Sequence, residues 1–251
     1  MPPSADLERL LDGSHHDPHS VLGVHSDHAG TTVARALRPG AKAVALVAGE
    51  HRFDMDEVAD GLFATALDEP PGEYLIEVDY GGDPVLVEDP YRWLPTLGEL
   101  DLHLFSEGRH ERLWQVLGAH QHSYEVPGGV VAGTSFAVWA PNARGVRVTG
   151  DFDGWDGRAN PMRSLGSSGV WELFVPGLPP GTRYKFRIFG QDGRWHERAD
   201  PMAFATEVPP ATASVVSTSD YLWRDEPWLE KRESTRWTDA PMSVYEVHLG
   251  S

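Results

Sequence analysis

The sequence predicts an all-β fold, two tandem immunoglobulin-like β-sandwiches with short connecting helices, and three observations carry that expectation. Phe136-Ala137-Val138-Trp139-Ala140 alternates like an extended chain, breaks at Pro141-Asn142 and resumes at Val146 and Val148, which reads as strand, turn, strand. The chain echoes itself at a shift of 102 positions, so that Ala34 to Val44 lies over Phe136 to Val146 and Pro39 over Pro141. Only two segments have helical periodicity. The length, 251 residues, suits about two domains.

In chain order, Ser4 can cap a short helix that carries Leu7, Leu10 and Leu11 on one face and closes at Gly13. The first sandwich then runs through Ala34 to Leu37, the Pro39-Gly40 turn, Val44, Gly61-Leu62-Phe63, Pro71-Gly72-Glu73-Tyr74 and Asp89-Pro90. The last three have later counterparts in Gly169-Val170-Trp171, Pro180-Gly181-Thr182-Arg183-Tyr184 and Asp200-Pro201, so both halves are read as one repeated sandwich of short strands. Between them, Arg109 to Leu117 sets Leu113, Trp114, Val116 and Leu117 at helical spacing and ends at Gly118, as a packed connecting helix. In the second half Phe136, Val138 and Ala140 share one face while Ala137 and Trp139 share the other, so this strand is expected to be buried on both sides. Gly150 to Trp155 turns tightly enough to leave an indole at the sandwich edge, where it can stack on a sugar ring.

Charge narrows the function classes. With 38 acidic against 21 basic residues, the formal charge of −17 repels phosphate backbones and anionic lipid, which argues against nucleic acid or a membrane surface as partner and is compatible with a neutral polysaccharide. Cysteine is absent, so disulfides and thiolate metal sites are excluded. No apolar run approaches the roughly 20 residues of a membrane span, and Met1 to Asp6 lacks the pattern of a signal peptide, so a cytoplasmic location is expected. No cofactor or metal is expected. His15, His16, His19, His25 and His28 crowd an irregular loop without the rigid spacing that zinc needs. Asp151, Asp153 and Asp156 lack the remaining calcium ligands, and no glycine loop has the Lys and following helix of a phosphate site.

Phe136 to Ala143 together with Gly150 to Trp155 resembles the family 48 carbohydrate-binding module, which accompanies α-glucan enzymes of the alpha-amylase superfamily. Four flanking motifs, Asp17 to His25, Leu97 to Phe105 with Gly108, Ala199 to Glu207 and Ser243 to Ser251, are similar in order to landmarks of the amino-terminal region of glycogen branching enzymes. The resemblance covers nearly the whole chain. It implies a first sandwich over 1–104 with the short leading helix, a connecting helix over 105–122, the carbohydrate-binding-module-like sandwich over 123–222, and over 223–251 the start of a truncated (β/α)8 catalytic barrel with its first strand at Val244 to Leu249. Tyr221, Trp223, Trp228, Trp237 and Tyr245 are then expected to pack on that barrel.

A (β/α)8 barrel needs about 250 residues, and retaining glycosyl transfer needs two carboxylates roughly 5 Å apart. In the family these lie on later strands, so no catalytic residue is expected here and the chain reads as the non-catalytic part of an enzyme that cuts α-1,4-glucan and rejoins it as α-1,6 branches. Its implied partners are α-glucan, as glycogen or amylose, and its own catalytic barrel. A stand-alone glycogen-binding or regulatory module, and the amino-terminal part of a debranching or trehalose-releasing enzyme, remain as alternatives. The duplicated sandwich and the Asp17 to His25 motif favour branching.

The resemblance also implies a sugar site. Trp155, Lys185 and Trp195 match positions used by glycogen-binding members of the module family. Two indoles offer flat faces to glucose rings and an ammonium donates to hydroxyls. Rim aromatics serve equally well as an interface with the barrel, so both readings stay open. The first half has Leu37 where the second has Trp139, and its Ala48-Gly49-Glu50-His51 turn has no tip tryptophan, which makes it structural. Trp93 is expected to be packing.

Overall fold

A computed structural model describes residues 5–26 and 30–248. It divides into a unit ending at Thr218 and a second beginning at Ser219. The first unit is built mainly of antiparallel sheet. Among the described residues of its amino-terminal half, β1 Gly23–Ser26, β2 Thr32–Leu37, β3 Ala43–Ala48, β4 His51–Ala59, β5 Leu62–Leu67, β6 Leu75–Asp79 and β7 Val85–Val87 form one sheet in the order β1-β2-β5-β4-β3-β6-β7. β4 is shared: Met55 pairs with Val44 of β3, whereas Asp56 pairs with Ala64 of β5. The sheet therefore folds over a core of Ala36, Val44, Leu46, Met55, Phe63, Ile76 and Val78.

The second half has two sheets. β8 Gly118–Val126, β9 Gly129–Trp139, β11 Arg163–Ser164 and β12 Val170–Pro176 make one, ordered β11-β12-β9-β8. β10 Gly145–Gly150, β13 Arg183–Phe189, β15 Ala205–Thr206 and β16 Ser214–Val215 make the other, with β14 Trp195–Arg198 paired to β13. Phe136, Val138 and Leu173 of the first meet Val146, Val148, Tyr184 and Phe186 of the second in one core. Along β12, Trp171, Leu173 and Val175, and along β10, Val146 and Val148, the inward positions are apolar at every second residue, which is what seals two facing sheets.

The repeat read from sequence is present in the strand registers. Ala36 pairs with Phe63 as Val138 pairs with Trp171, and Val44 pairs with Val78 as Val146 pairs with Ile188. A Cβ on Gly61 would stand 2.6 Å from the Pro39 Cα, and one on Gly169 would stand 2.7 Å from the Pro141 Cβ. Both glycines have positive φ, so the Pro turn and the Gly hairpin fit together identically in each half. Buried Tyr74 donates from its hydroxyl to Asp89 Oδ2 at 2.7 Å, and buried Tyr184 to Asp200 Oδ2 at 2.5 Å. The other oxygen of each aspartate accepts a backbone N–H two residues on, from Tyr91 and Met202.

The halves are joined through shared packing. Tyr91 donates to the carbonyls of Ala159 and Pro161, and Arg158 lies 3.5 Å from Asp60. The leading helix, α1 Ala5–Asp12, closes at Gly13 as expected, and its Leu10 is buried in a core shared by both halves, with Leu22, Leu37 and Leu62 of the first and Phe136 and Val146 of the second. Ser4, the expected cap, lies outside the described residues.

Several elements differ from expectation. The connecting helix expected at Arg109 to Leu117 is instead α2 Glu99–Ser106, followed by a single 3-10 turn at Leu113–Gln115. Glycines with positive φ at 108 and 118 bracket the short segment, and Gly118 is already paired with Ala137 in the sheet, so strand pairing overrides helical spacing. Ala137 is covered as expected, but Trp139 is 55% exposed. A third helix, α3 Glu226–Ser234, stands in the second unit, where none was expected. Residues 241–248 carry no strand, and Leu249 of the expected strand lies outside the described residues. A strand needs a partner edge, and Val244 and Tyr245 are exposed without one. Tyr221, Trp223, Trp228 and Trp237 are also exposed.

Candidate functional site

The turn between β10 and the following segment is organised by one carboxylate. Asp153 Oδ1 accepts from Thr149 Oγ1 at 3.0 Å and from the backbone N–H groups of Gly150 and Trp155. Its Oδ2 accepts from Gly157 N and Asn160 Nδ2. Gly154 takes the left-handed conformation and Trp155 follows at φ 67, the sole non-glycine residue of positive φ among those described. A bulky residue held there costs on the order of 1 kcal/mol or more and persists only when its surroundings over-determine it. Here the Asp153 network does so, and the result is a partly exposed indole at the edge of the sheet.

Lys185 joins Trp155 in one shallow groove. β13 turns Tyr184 and Phe186 into the core, which sends Lys185 to the outer face beside Glu197 of β14. The groove, about 490 Å³, is completed by Arg183, Glu207 and the 211–213 segment. Lys185 Nζ donates to Glu197 Oε1 at 2.7 Å. Arg183 grips Asp151 with Nε and Nη2 at 2.8 and 2.9 Å and reaches Glu207 at 3.2 Å. Hydrogen bonds from Arg183 hold the Asp151 carboxyl below its usual range, and the Ala213 N–H does the same for Glu207, so both are ionised acceptors. An indole face rimmed by fixed donors and acceptors is the chemistry that recognises a polyol ring.

Trp195 is elsewhere. It pairs with Phe189 on the outer face of the sheet and stacks on that ring at 5.0 Å. The Arg147 guanidinium lies 4.4 Å from its ring, and a Cβ on Gly13 would come within 2.5 Å of it. Burial lowers the pKa of Arg147 to about 10. Trp195 is thus packed under the end of α1, and the groove brings together Trp155 and Lys185 without it. Arg183, Glu197 and Glu207 were not singled out from sequence. Alternation along β13 and the Asp192-Gly193 hairpin do place position 197 on the Lys185 face, but Glu207 arrives from a distant loop.

Other sequence candidates resolve into packing. Trp93 is buried against Tyr124 and Phe174. His16 stacks on Trp171, and His19 is buried edge-on to Tyr91 with neither ring nitrogen hydrogen-bonded. His28 lies outside the described residues. Among the described residues no group of three or more His, Asp or Glu side chains could hold a metal ion, and no helix is long and apolar enough to cross a membrane.

Comparison with known proteins places both halves of the chain among described families. Residues 116–203 match the family described as carbohydrate-binding module 48 (isoamylase N-terminal domain), and residues 3–91 match the alpha-1,4-glucan branching enzyme GlgB, N-terminal domain. The chain is 59% identical to a protein named 1,4-alpha-glucan branching enzyme GlgB from Frankia casuarinae, over 99% of this chain and 31% of that one. It is 58% identical to the protein of that name from Rhodococcus jostii, over 100% and 34%, and 59% identical to that from Nocardia farcinica, over 98% and 33%. The chain therefore spans about a third of the length of these relatives.

Proposed function

We propose, on the premise that this chain belongs to the glycogen branching enzyme family as its non-catalytic amino-terminal part, that its second half holds an α-1,4-glucan chain while the rest of the enzyme transfers it. The parent activity under this proposal is cutting of an α-1,4-glucan and its rejoining as an α-1,6 branch, by two carboxylates on a (β/α)8 barrel. The matching registers of the two halves support reading them as tandem immunoglobulin-like β-sandwiches, the first near 1–104 and the second near 123–222, with the second unit leading into the barrel. A cytoplasmic location fits the same reading.

The observation that carries the glucan site is Trp155, held at φ 67 above the groove that Lys185 shares. Strain maintained at a partly exposed aromatic points to use rather than packing. Trp155 stacks on a glucose ring, Lys185 and Arg183 donate to hydroxyls, and Trp195 supports the sheet from its packed position. Affinity electrophoresis through glycogen tests this. Trp155→Ala should lose retardation and Lys185→Ala should lose part of it, while Trp195→Ala should chiefly lower thermal stability. Unchanged mobility of Trp155→Ala in glycogen removes the site. Incubated with amylose, the chain should leave the iodine spectrum unchanged, and any branching activity would overturn its non-catalytic role.

A further inference from the structure

A cavity of about 450 Å³ lies between the two halves, within the range of about 300–1,000 Å³ common to small-molecule sites. Arg38, on the turn after β2, lines it and is only 9% exposed. Its one hydrogen bond runs from Nη1 to the adjoining Leu37 carbonyl at 3.1 Å, and among the described residues it has no ion pair. Its Nε and Nη2 donate to no protein group, yet they are not among the fully buried polar atoms, so they stay open to solvent and free to donate. A ligand with lone pairs would supply what is missing.

The rest of the lining says what kind of ligand. Glu88 lines the same cavity: its Oε2 is turned into the protein, without a hydrogen bond and 3.6 Å from Arg92, while its Oε1 is not among the buried atoms and can accept, and burial raises the pKa of the carboxyl. Asn160 commits its Nδ2 to Asp153, while Tyr80 at the mouth is 57% exposed and Phe152 adds apolar surface. Asp156, already paired with Arg158, adds negative charge. One cation beside Glu88 and Asp156, in a chain of formal charge −17, disfavours an anion. An accessible donor, an accessible acceptor and an aromatic rim together suit a neutral polyol, whose hydroxyls both accept and donate.

We infer that this cleft is a second carbohydrate site, taking a short α-1,4-linked oligosaccharide with Arg38 as its central donor, Glu88 as acceptor and Tyr80 as stacking face. The sugar class rests on the proposed function; the polyol chemistry does not. Such a site would hold one glucan segment between the halves while another lies on the Trp155 groove.

The test is a titration of the full chain with maltotriose, and separately with inorganic phosphate, followed by amide and indole NMR shifts. Maltotriose should move the amides of Arg38, Tyr80 and Asn160. Arg38→Gln and Tyr80→Ala should each weaken that response at least about tenfold, the loss of one charge-assisted bond or stacking face, and leave the Trp155 indole response intact. Tyr80 is exposed, so its variant folds even if the Arg38 variant does not. Silence of the cleft amides while the Trp155 indole moves would overturn this inference alone. Movement with phosphate but not maltotriose would overturn it as an anion site. Cleft movement beside a silent Trp155 would uphold it and remove the groove reading instead.

Discussion

Acid should destabilise this protein through one histidine. His19 is buried, neither ring nitrogen has a hydrogen-bond partner, and desolvation, helped by Arg163 and His25, draws its pKa from 6.5 to about 3. Because the folded-state value is the lower one, the unfolded chain takes up the proton first as pH falls. Stability is therefore complete above pH 6.5 and is lost through the window from 6.5 down to about 3. Each pH unit in that window is worth about 1.36 kcal/mol, so moving from neutrality to pH 5 should cost about 2 kcal/mol from this group. His19→Phe keeps a flat ring edge-on to Tyr91 and removes the titration. Urea denaturation of both proteins at pH 7, 6 and 5 would measure the difference, since carboxylates such as Asp151 contribute equally to each. The free-energy gap between variant and natural protein should widen in favour of the variant by about 2 kcal/mol at pH 5. Parallel pH profiles would refute the buried, neutral state of His19.

The repeated tyrosine–aspartate pair should behave alike in both halves: Tyr74→Phe and Tyr184→Phe each leave a buried aspartate oxygen unpartnered and should cost about 1–3 kcal/mol in denaturant unfolding. Gly61→Ala and Gly169→Ala, which set a Cβ against Pro39 or Pro141 at positive φ, should each cost about 1–3 kcal/mol, seen as a melting temperature lower by several degrees. Trp155→Gly should leave stability equal or raise it by about 1 kcal/mol while abolishing retention on glycogen, which separates the strain at that position from its use.

Much of the fold was legible because its signals are local. Alternation along Phe136 to Val138 marks a strand whatever surrounds it, and a Pro turn facing a Gly hairpin leaves the same trace in both halves. The helix expected at Arg109 to Leu117 failed for the opposite reason. Its apolar spacing is real, but Leu113 and Val116 pack from a 3-10 turn because Gly118 must enter β8 at once, and pairing with a strand many residues away is not a local property. The strand expected at Val244 likewise depends on a neighbouring edge that its own pattern cannot supply.

At the candidate site the family resemblance points to Trp155, Lys185 and Trp195, while residue type alone leaves sugar platform and interface equally open. Which groups meet there was decided by tertiary structure. Trp195 has the same chemistry as Trp155, yet the end of α1 crosses over it and converts a platform into packing, while Glu207 enters the groove from a loop far along the chain. Arg38 reads from sequence as an ordinary turn residue, and only the meeting of the two halves makes it a buried cation facing a cavity. Periodicity and turn chemistry act over a few residues, so composition and spacing determine strands, turns and the repeat. Exposure, desolvation and partnership depend on what folds back from a distance, and those are the quantities that make a side chain a ligand contact or a piece of core.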